Sequence, residues 1–281
     1  MQEKSHQITK RTAAVFASTL RAKEYSEGTI ANYLRSVRAF AAWSGGRASR
    51  SRVAGWKAQL TGSHAPATVN TMLAGINCFF AAMGWEDCRV KPLRVQRRSF
   101  QDPERELCRE DYRRLVQTAR AQGRERLALL METLCATGIR VSEVPYITVE
   151  AARAGTASIS LKGKVRTILL PGKLCRRLLR YARSRGISTG PVFRTHSGRP
   201  LSRTQIWAEM KRLCQAAGVA ASRVFPHNLR HLFARTFYAL CRDVVKLADI
   251  LGHSSIDTTR IYLRTTGAEH VRQMERLHLL C

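Results

Sequence analysis

Apolar residues recur at helical spacing along the first third of the chain. One stripe comprises Ile30, Tyr33, Leu34, Val37, Phe40 and Ala41, and a second comprises Val69, Met72, Leu73, Ile76, Phe79, Phe80 and Met83. Positions three and four apart share one face of a helix, so each stripe predicts an amphipathic helix. Thr29 and Thr68 are the predicted N-caps, and Gly45-Gly46 and Gly84 mark the ends. Shorter stretches near 16–20 and 53–60 complete a predicted four-helix unit.

The pattern changes after a stretch rich in arginine and proline. Residues 94–105 carry no apolar period and are predicted to be a basic linker. The predicted domains are therefore 1–93, a small helical unit, and 106–281, a larger one. Apolar spacing predicts helices near 112–119, 127–137, 174–184, 202–217, 228–240 and 244–251.

Alternating residues around Ile159 and Leu161 predict a strand in the second domain. Lys162-Gly163-Lys164 forms the predicted turn, and Thr167 to Leu170 the returning strand. The predicted fold is mainly α, with one small β-hairpin in an α-rich second domain.

Charge narrows the choice of partner. The 281 residues include 48 Lys+Arg and 20 Asp+Glu, for a formal net charge of +28. Both halves are basic, since residues 1–105 carry a net +10 and residues 106–281 a net +18. Such an imbalance indicates a polyanionic partner, first of all nucleic acid, with a membrane surface or an acidic protein as alternatives.

Several classes of protein do not fit the sequence. The longest stretch without Asp, Glu, Lys or Arg is residues 58–85. It contains Asn70, Asn77 and Pro66, so it predicts an amphipathic helix and not a membrane span. No secretory signal is recognisable, so a cytoplasmic, nucleoid-associated protein is expected. The eight cysteines show no C-x-x-C spacing, which argues against a zinc site. Neither a phosphate loop nor a G-x-G-x-x-G run occurs, and carboxylates are too scattered for a two-metal nuclease.

Phosphodiester chemistry without a metal requires fixed cations and a side-chain nucleophile. The candidates are Arg140 after Gly138, Lys162 at the predicted hairpin tip, His227 and Arg230 on one helical face, His253 after a helix end, and Tyr262 in a short last helix that Asp257 is predicted to cap. Taken singly, each also fits an ordinary role as a surface charge, a helix cap or a core residue.

Taken in order, these residues resemble the tyrosine recombinase (lambda-integrase-like) family, in particular its Cre- or Xer-like two-domain members. Three runs carry the resemblance: Thr-Gly-Ile-Arg-Val-Ser-Glu at 137–143, His-Asn-Leu-Arg-His at 227–231, and Leu-Gly-His-Ser-Ser-Ile-Asp-Thr-Thr-Arg-Ile-Tyr at 251–262. The resemblance covers residues 106–270. The N-terminal helices are more weakly similar to the family's SAM-like core-binding domain.

The resemblance implies a site-specific recombinase that cuts DNA through a 3′-phosphotyrosyl intermediate. Tyr262 matches the nucleophile, His227 the acid/base, and Arg140 and Arg230 the pair that holds the non-bridging oxygens. A phenol loses its proton near pH 10, so the attack needs such assistance.

The remaining family positions also have counterparts. Lys162 matches the hairpin lysine that protonates the leaving 5′-oxygen, with Lys164 as a rival. His253 matches a further phosphate ligand, and Glu143 an acidic residue that supports the site. Cys108 stands where the family often has a Thr or Ser helix cap, and Asp111 or a frayed helix start is expected to compensate. No metal, ATP or other cofactor is implied.

The implied partner is double-stranded DNA with inverted-repeat core sites, bound by a homotetramer on two sites. A partner recombinase in a mixed tetramer stays open, as does docking of the predicted helical tail, 267–281, on a neighbouring subunit. Helices near 29–43 and 202–217 are the expected groove readers. Two alternatives are a catalytically silent DNA-binding regulator and a type IB topoisomerase-like activity. The pattern does not distinguish a transposon, phage, integron or resolution system.

Overall fold

The computed structural model describes residues 4–95, 103–161, 164–253, 255–260, 262, 271 and 274–276. The chain divides into two compact units, Met1–Arg97 and Arg98–Cys281. Within the described ranges, no helix has both the length and the apolar character needed to cross a membrane.

Four helices form the first unit: α1 (Lys10–Ala22), α2 (Glu27–Ser44), α3 (Arg50–Ser63) and α4 (Pro66–Met83). Strands β1 (His6–Gln7) and β2 (Arg47–Ala48) pair antiparallel. The predicted caps Thr29 and Thr68 are wrong. Helix α2 begins earlier, because the Ser26 side chain accepts a hydrogen bond from the Thr29 amide, and α4 begins with Pro66 at a first-turn position, where a missing N–H costs nothing.

Aromatic rings fill the centre of this unit. Phe16 meets Phe79 edge-on with ring centroids 5.3 Å apart, and Phe40 lies 5.2 Å from Trp56. All four are buried. Helices α2 and α4 approach closely at Gly75, where a Cβ would lie 3.0 Å from that of Ser36.

Two asparagines explain the polar positions on α4. Asn77 pairs with the backbone of Val90, donating at 2.8 Å and accepting at 3.2 Å, and Asn70 pairs in the same way with Leu93 at 2.9 and 2.7 Å. The two side chains, seven residues apart, therefore lie on one face and fasten residues 90–93 along the helix.

The second unit combines eight helices with one hairpin among its described residues. The helices are α5 (Arg109–Ala121), α6 (Glu125–Thr137), α7 (Val149–Ala154), α8 (Gly172–Ser184), α9 (Arg203–Leu213), α10 (Pro226–Cys241), α11 (Val244–Leu251) and α12 (Ile256–Arg260). Strands β3 (Thr156–Leu161) and β4 (Lys164–Leu169) pair antiparallel. The mainly α fold with a small hairpin is thus confirmed.

Three local details differ from the sequence expectations. Lys164 pairs with Leu161 inside the hairpin, so the predicted turn is too long by one residue. The sequence pattern missed α7 and a 3₁₀ helix, Val141–Tyr146, because both are too short for a helical period to show. Cys108 caps α5 itself, since its sulfur accepts from the Asp111 amide at 3.3 Å.

Helix α6 ends against α10 with almost no clearance. Gly138 has φ +63°, and a Cβ there would lie 2.4 Å from Cδ1 of Phe233. The left-handed conformation favours glycine at a helix end, and the contact excludes any larger residue. This packing fixes where the chain leaves α6.

We expect Gly138→Ala to lower the free energy of unfolding by roughly 2–4 kcal/mol, because backbone strain and overpacking add. Gly155→Ala is the matched control, since Gly155 also ends a helix with φ +73° but has nothing within 4 Å of the place where a Cβ would lie. It should cost only about 1 kcal/mol. Urea unfolding checks both, and equal losses would show that Phe233 yields.

Candidate active site

Two helix ends converge on one buried arginine. The carbonyl of Gly138 accepts a hydrogen bond from Nη1 of Arg230 at 2.6 Å, and that of Leu251 accepts from Nη2 at 2.9 Å. Carbonyls at a helix C-terminus have no partner within the helix and carry the negative end of its dipole. The ends of α6 and α11 therefore stabilise the Arg230 guanidinium, which is 1% exposed.

The same guanidinium contacts two further predicted residues. Its Nε donates to the Tyr262 hydroxyl oxygen at 3.3 Å, and its Nη2 lies 2.7 Å from Nε2 of His253. Arginine only donates, so His253 Nε2 must accept and the ring proton lies on Nδ1. That Nδ1 is 2.8 Å from Oγ1 of Thr259, which accepts the proton's hydrogen bond.

Three imidazole rings surround the side chain of Tyr262, a residue that is 4% exposed. The centroid of its ring lies 4.5 Å from that of His231, 5.5 Å from that of His253 and 5.7 Å from that of His227. The His253 ring is stacked on the phenol at 9°. Packing on several sides leaves the phenol little rotational freedom.

These histidines are held in the neutral form. Burial, with Arg230 as the next cause, lowers the pKa of His253 to about 4. Burial and the neighbouring His227 lower the pKa of His231 to about 3. Desolvation, with the charge of Arg230 as the next cause, also lowers the pKa of His227, although this residue keeps an exposed surface. At pH 7 all three rings are therefore uncharged.

Arg140 and Glu143 form a unit at the start of the 3₁₀ helix. Glu143 Oε2 accepts from the Arg140 amide at 2.8 Å, and Oε1 lies 3.1 Å from Arg140 Nη1. The Glu143 carboxylate is buried, whereas the Arg140 side chain is 42% exposed. It faces a groove of about 640 Å³ that His227, Arg230, Arg203 and Trp207 also line.

The structure thus brings together six of the seven residues that the sequence singles out, namely Arg140, Glu143, His227, Arg230, His253 and Tyr262. Lys162 lies outside the described residues. Of its rival Lys164, the structure describes the backbone, as the first residue of β4. Asp257, expected to cap the last helix, lies within α12 instead, and Ser255 accepts from its amide at 3.2 Å.

Sequence reasoning missed three residues of the site: His231, Thr259 and Arg166. His231 follows His227 by four positions, so helical spacing places it on the same face. Arg166 shares its side of β4 with the buried Ile168, while Val165 and Thr167 on the other side are exposed. A charge at an inward position of an alternating strand is a signal for a buried partner.

The depressed histidine pKa values predict acid-sensitive folding. From the ordinary value of 6.5 down to about 3, an unfolded His231 binds a proton that the folded one does not. The free energy of unfolding should therefore fall as pH falls through this window, by up to about 1.4 kcal/mol per pH unit for each such group. Urea unfolding between pH 7 and 4 should show a shallower fall for His231→Phe. The same change at the exposed His196 is the control, and an unchanged slope in His231→Phe would contradict this interpretation.

Comparison with known proteins agrees with this geometry. The family model of the phage integrase family matches residues 105–269, more than half of the chain. Tyrosine recombinase XerA of Thermococcus kodakarensis is 28% identical over 260 residues, which cover 89% of each protein. Tyrosine recombinase XerD of Brucella suis is 37% identical over 166 residues, 55% of this chain and 51% of that protein.

A solved structure shows the same fold. The Tn1549 transposon integrase in complex with circular intermediate DNA superposes with a TM-score of 0.73 at 17% identity, covering 95% of this chain and 99% of that one. The family model, the relatives and the fold agree: the chain belongs to the phage integrase family of tyrosine recombinases.

Proposed function

We propose that the protein is a site-specific recombinase that cuts and rejoins DNA with Tyr262 as the nucleophile. The observation that carries this proposal is the contact between Arg230 and the Tyr262 hydroxyl, at 3.3 Å in a site lined by neutral imidazoles. A phenol that touches a guanidinium is close to the group that would bind the phosphate it attacks.

The reaction exchanges one phosphoester for another. Tyr262 Oη forms a bond to phosphorus, the bond from phosphorus to the 5′-oxygen breaks, and the strand retains a 3′-phosphotyrosyl link. The phenol proton goes to neutral His227. The 5′-oxygen takes a proton from Lys162, the residue that the sequence motif assigns to this role. The ester energy stays in the phosphotyrosine, so rejoining needs neither ATP nor a metal.

Arg140 and Arg230 would hold the non-bridging oxygens. Forked N–H groups on a permanent cation suit a phosphate that gains charge in the transition state. Arg230 has five N–H groups, and four are engaged by Tyr262, Gly138, Leu251 and His253. The fifth, on Nη1, and the exposed Arg140 remain for the anion.

His253 would join the phosphate only after a local change. Its Nε2 accepts from Arg230 here, so it has no proton to donate on that side. When a phosphate attracts the guanidinium, this contact can open, and the neutral ring becomes a donor once its proton lies on Nε2 instead of Nδ1. Glu143 would orient Arg140 without touching DNA.

DNA binding is expected to involve both units. We propose residues 1–93 as the core-binding domain, 94–105 as the linker and 106–281 as the catalytic domain. Helix α9 supports a role in groove reading, because Arg203 and the half-exposed Trp207 line the groove beside Arg140. Helix α2 would do the same in the first unit. Structures of relatives such as XerH bound to its difH substrate support DNA as the partner.

The assembly is part of the same proposal. We expect a homotetramer on two inverted-repeat sites. The alternative is a mixed tetramer that this chain forms with a partner recombinase. Val271 and Met274 in the predicted tail are 53% and 67% exposed, which supports docking of this segment on a neighbouring subunit over packing on its own unit. The comparisons do not favour the silent regulator or the topoisomerase, since the relatives are named tyrosine recombinases.

Covalent trapping in EDTA tests the nucleophile. The substrates are duplexes from the DNA that flanks the gene, with a nick near the inverted repeats. Cleavage beside the nick releases a short end, so the strand cannot rejoin. We expect a detergent-resistant protein–DNA band from the parent and none from Tyr262→Phe. Tyr181→Phe, at a buried tyrosine on α8 outside the site, is the matched control and should retain the band. A band from Tyr262→Phe would refute attack by Tyr262. No band from the parent on a duplex that it binds tightly would favour the silent regulator or a missing partner subunit.

Salt dependence tests the electrostatic part of binding. The net charge of +28 favours contacts to many phosphates. For a protein that contacts roughly 6–10 phosphates, raising the salt concentration from roughly 50 to 200 mM should lower the affinity by about 10³- to 10⁵-fold. Fluorescence anisotropy with a labelled duplex measures this slope. Arg203→Gln should reduce the slope by about one contact, and a salt-independent affinity would contradict phosphate-driven binding.

A further inference from the structure

Arg166 on β4 is a buried cation to which the proposed reaction gives no role. Its side chain is 15% exposed. Nη1 donates a hydrogen bond to the carbonyl oxygen of Leu251, and Nη2 lies 3.6 Å from Oε2 of Glu143. The hairpin thereby reaches two separate elements, the end of α11 and the 3₁₀ helix after α6.

Both partners of Arg166 also hold one of the phosphate-binding arginines. The Leu251 carbonyl accepts from Arg230 Nη2 at 2.9 Å as well. The Glu143 carboxylate binds the amide and guanidinium of Arg140 at 2.8 and 3.1 Å. Arg166 therefore connects Arg140 to Arg230 through one carboxylate and one carbonyl, across three chain segments that are distant in sequence.

The turn before His253 is shaped around the same side chain. A Cβ on Gly252 would lie 2.6 Å from Nη1 and 2.7 Å from Cδ of Arg166. Gly252 also has φ +63°, so both the space and the backbone favour glycine there. The position of Arg166 thus bears on where α11 ends and His253 begins.

The surroundings of Arg166 are unfavourable if its role is folding stability alone. Burial lowers the pKa of Arg166, the charge of Glu143 opposes that shift, and Arg230 and Arg140 reinforce it. Nε and Nη2 have no hydrogen-bond partner among the described residues. Two guanidinium groups, those of Arg140 and Arg166, share the Glu143 carboxylate, and the Arg230 charge acts on it at longer range. A bound phosphate would relieve this excess of positive charge.

We propose that Arg166 is a positioning residue that holds Arg140 and Arg230 at the spacing required by the two non-bridging oxygens of the scissile phosphate. This inference rests on the proposed function. Without Arg166, each arginine keeps its charge, but the distance between them is no longer set. Small displacements of this kind cost large factors in rate.

The test uses the full-length chain and the nicked duplex that gives the covalent band. Arg166→Met removes the fork and its charge, and Arg166→Lys restores a charge without the fork. Arg176→Met, at an exposed arginine on α8, is the matched control. Single-turnover rates of adduct formation are measured on three versions of the duplex: the ordinary phosphate, a methylphosphonate that lacks one charged non-bridging oxygen, and a phosphate whose bridging 5′-oxygen is replaced by sulfur.

We expect Arg166→Met to react about 100-fold more slowly than the parent on the ordinary phosphate, with Arg166→Lys between them and Arg176→Met unchanged. The deficit of Arg166→Met should shrink at least tenfold on the methylphosphonate, because the arginine pair then has less charge to stabilise. It should persist on the sulfur-bridged duplex, whose thiolate leaves without an acid. Duplex affinity and the unfolding midpoint should remain close to those of the parent.

Three results would overturn the inference. A deficit of equal size on all three duplexes, with a lower unfolding midpoint, would mean that Arg166 only supports folding. A deficit that disappears on the sulfur-bridged duplex would mean that Arg166 acts through the leaving-group acid. A rate equal to that of the parent on the ordinary phosphate would mean that the connection is not used. Failure of the proposed function is distinct, since the parent would then form no adduct on any duplex.

Discussion

The second unit depends on how the charge of one buried guanidinium is compensated. Arg230 is almost fully enclosed, and a lone charge in that position would be strongly destabilising. Its compensation comes from the carbonyls at the ends of α6 and α11, which are partial charges that need no titratable partner. A carboxylate at the same place would neutralise the cation and compete with phosphate. Carbonyl compensation leaves the net positive charge available to an anion.

Other features of the site follow from this arrangement. Both helices must end at the arginine, and each ends in a glycine with positive φ. A side chain leaves no room for a Cβ at either glycine: Phe233 lies against Gly138, and Arg166 lies against Gly252. The guanidinium also sets the chemistry of its neighbours. Its charge helps to keep His253 and His227 neutral, and its Nε meets the Tyr262 hydroxyl.

The single buried carboxylate has a limited task. Glu143 holds Arg140 by both its amide and its guanidinium, which turns a loop arginine into a fixed donor. Since the local excess of positive charge persists, the site is preorganised for an anion before DNA arrives. The overall charge of +28 serves attraction at long range, and these few groups determine where a phosphate would be held.

The mainly helical fold, the hairpin and most of the candidate site could be predicted from the sequence, because helical periodicity and the three motif runs are local properties. The sequence also placed α11 correctly, since Gly252 follows an apolar stripe. Short elements such as α7 were not predicted, nor were the starts of α2 at the Ser26 cap and of α4 at Pro66, because one turn more or less leaves the apolar stripe unchanged. The tautomer of His253, the neutral state of His231 and the connection made by Arg166 could be seen only in three dimensions. These depend on burial and on contacts between residues up to 85 positions apart, and the physical cause is that desolvation and charge pairing act through space.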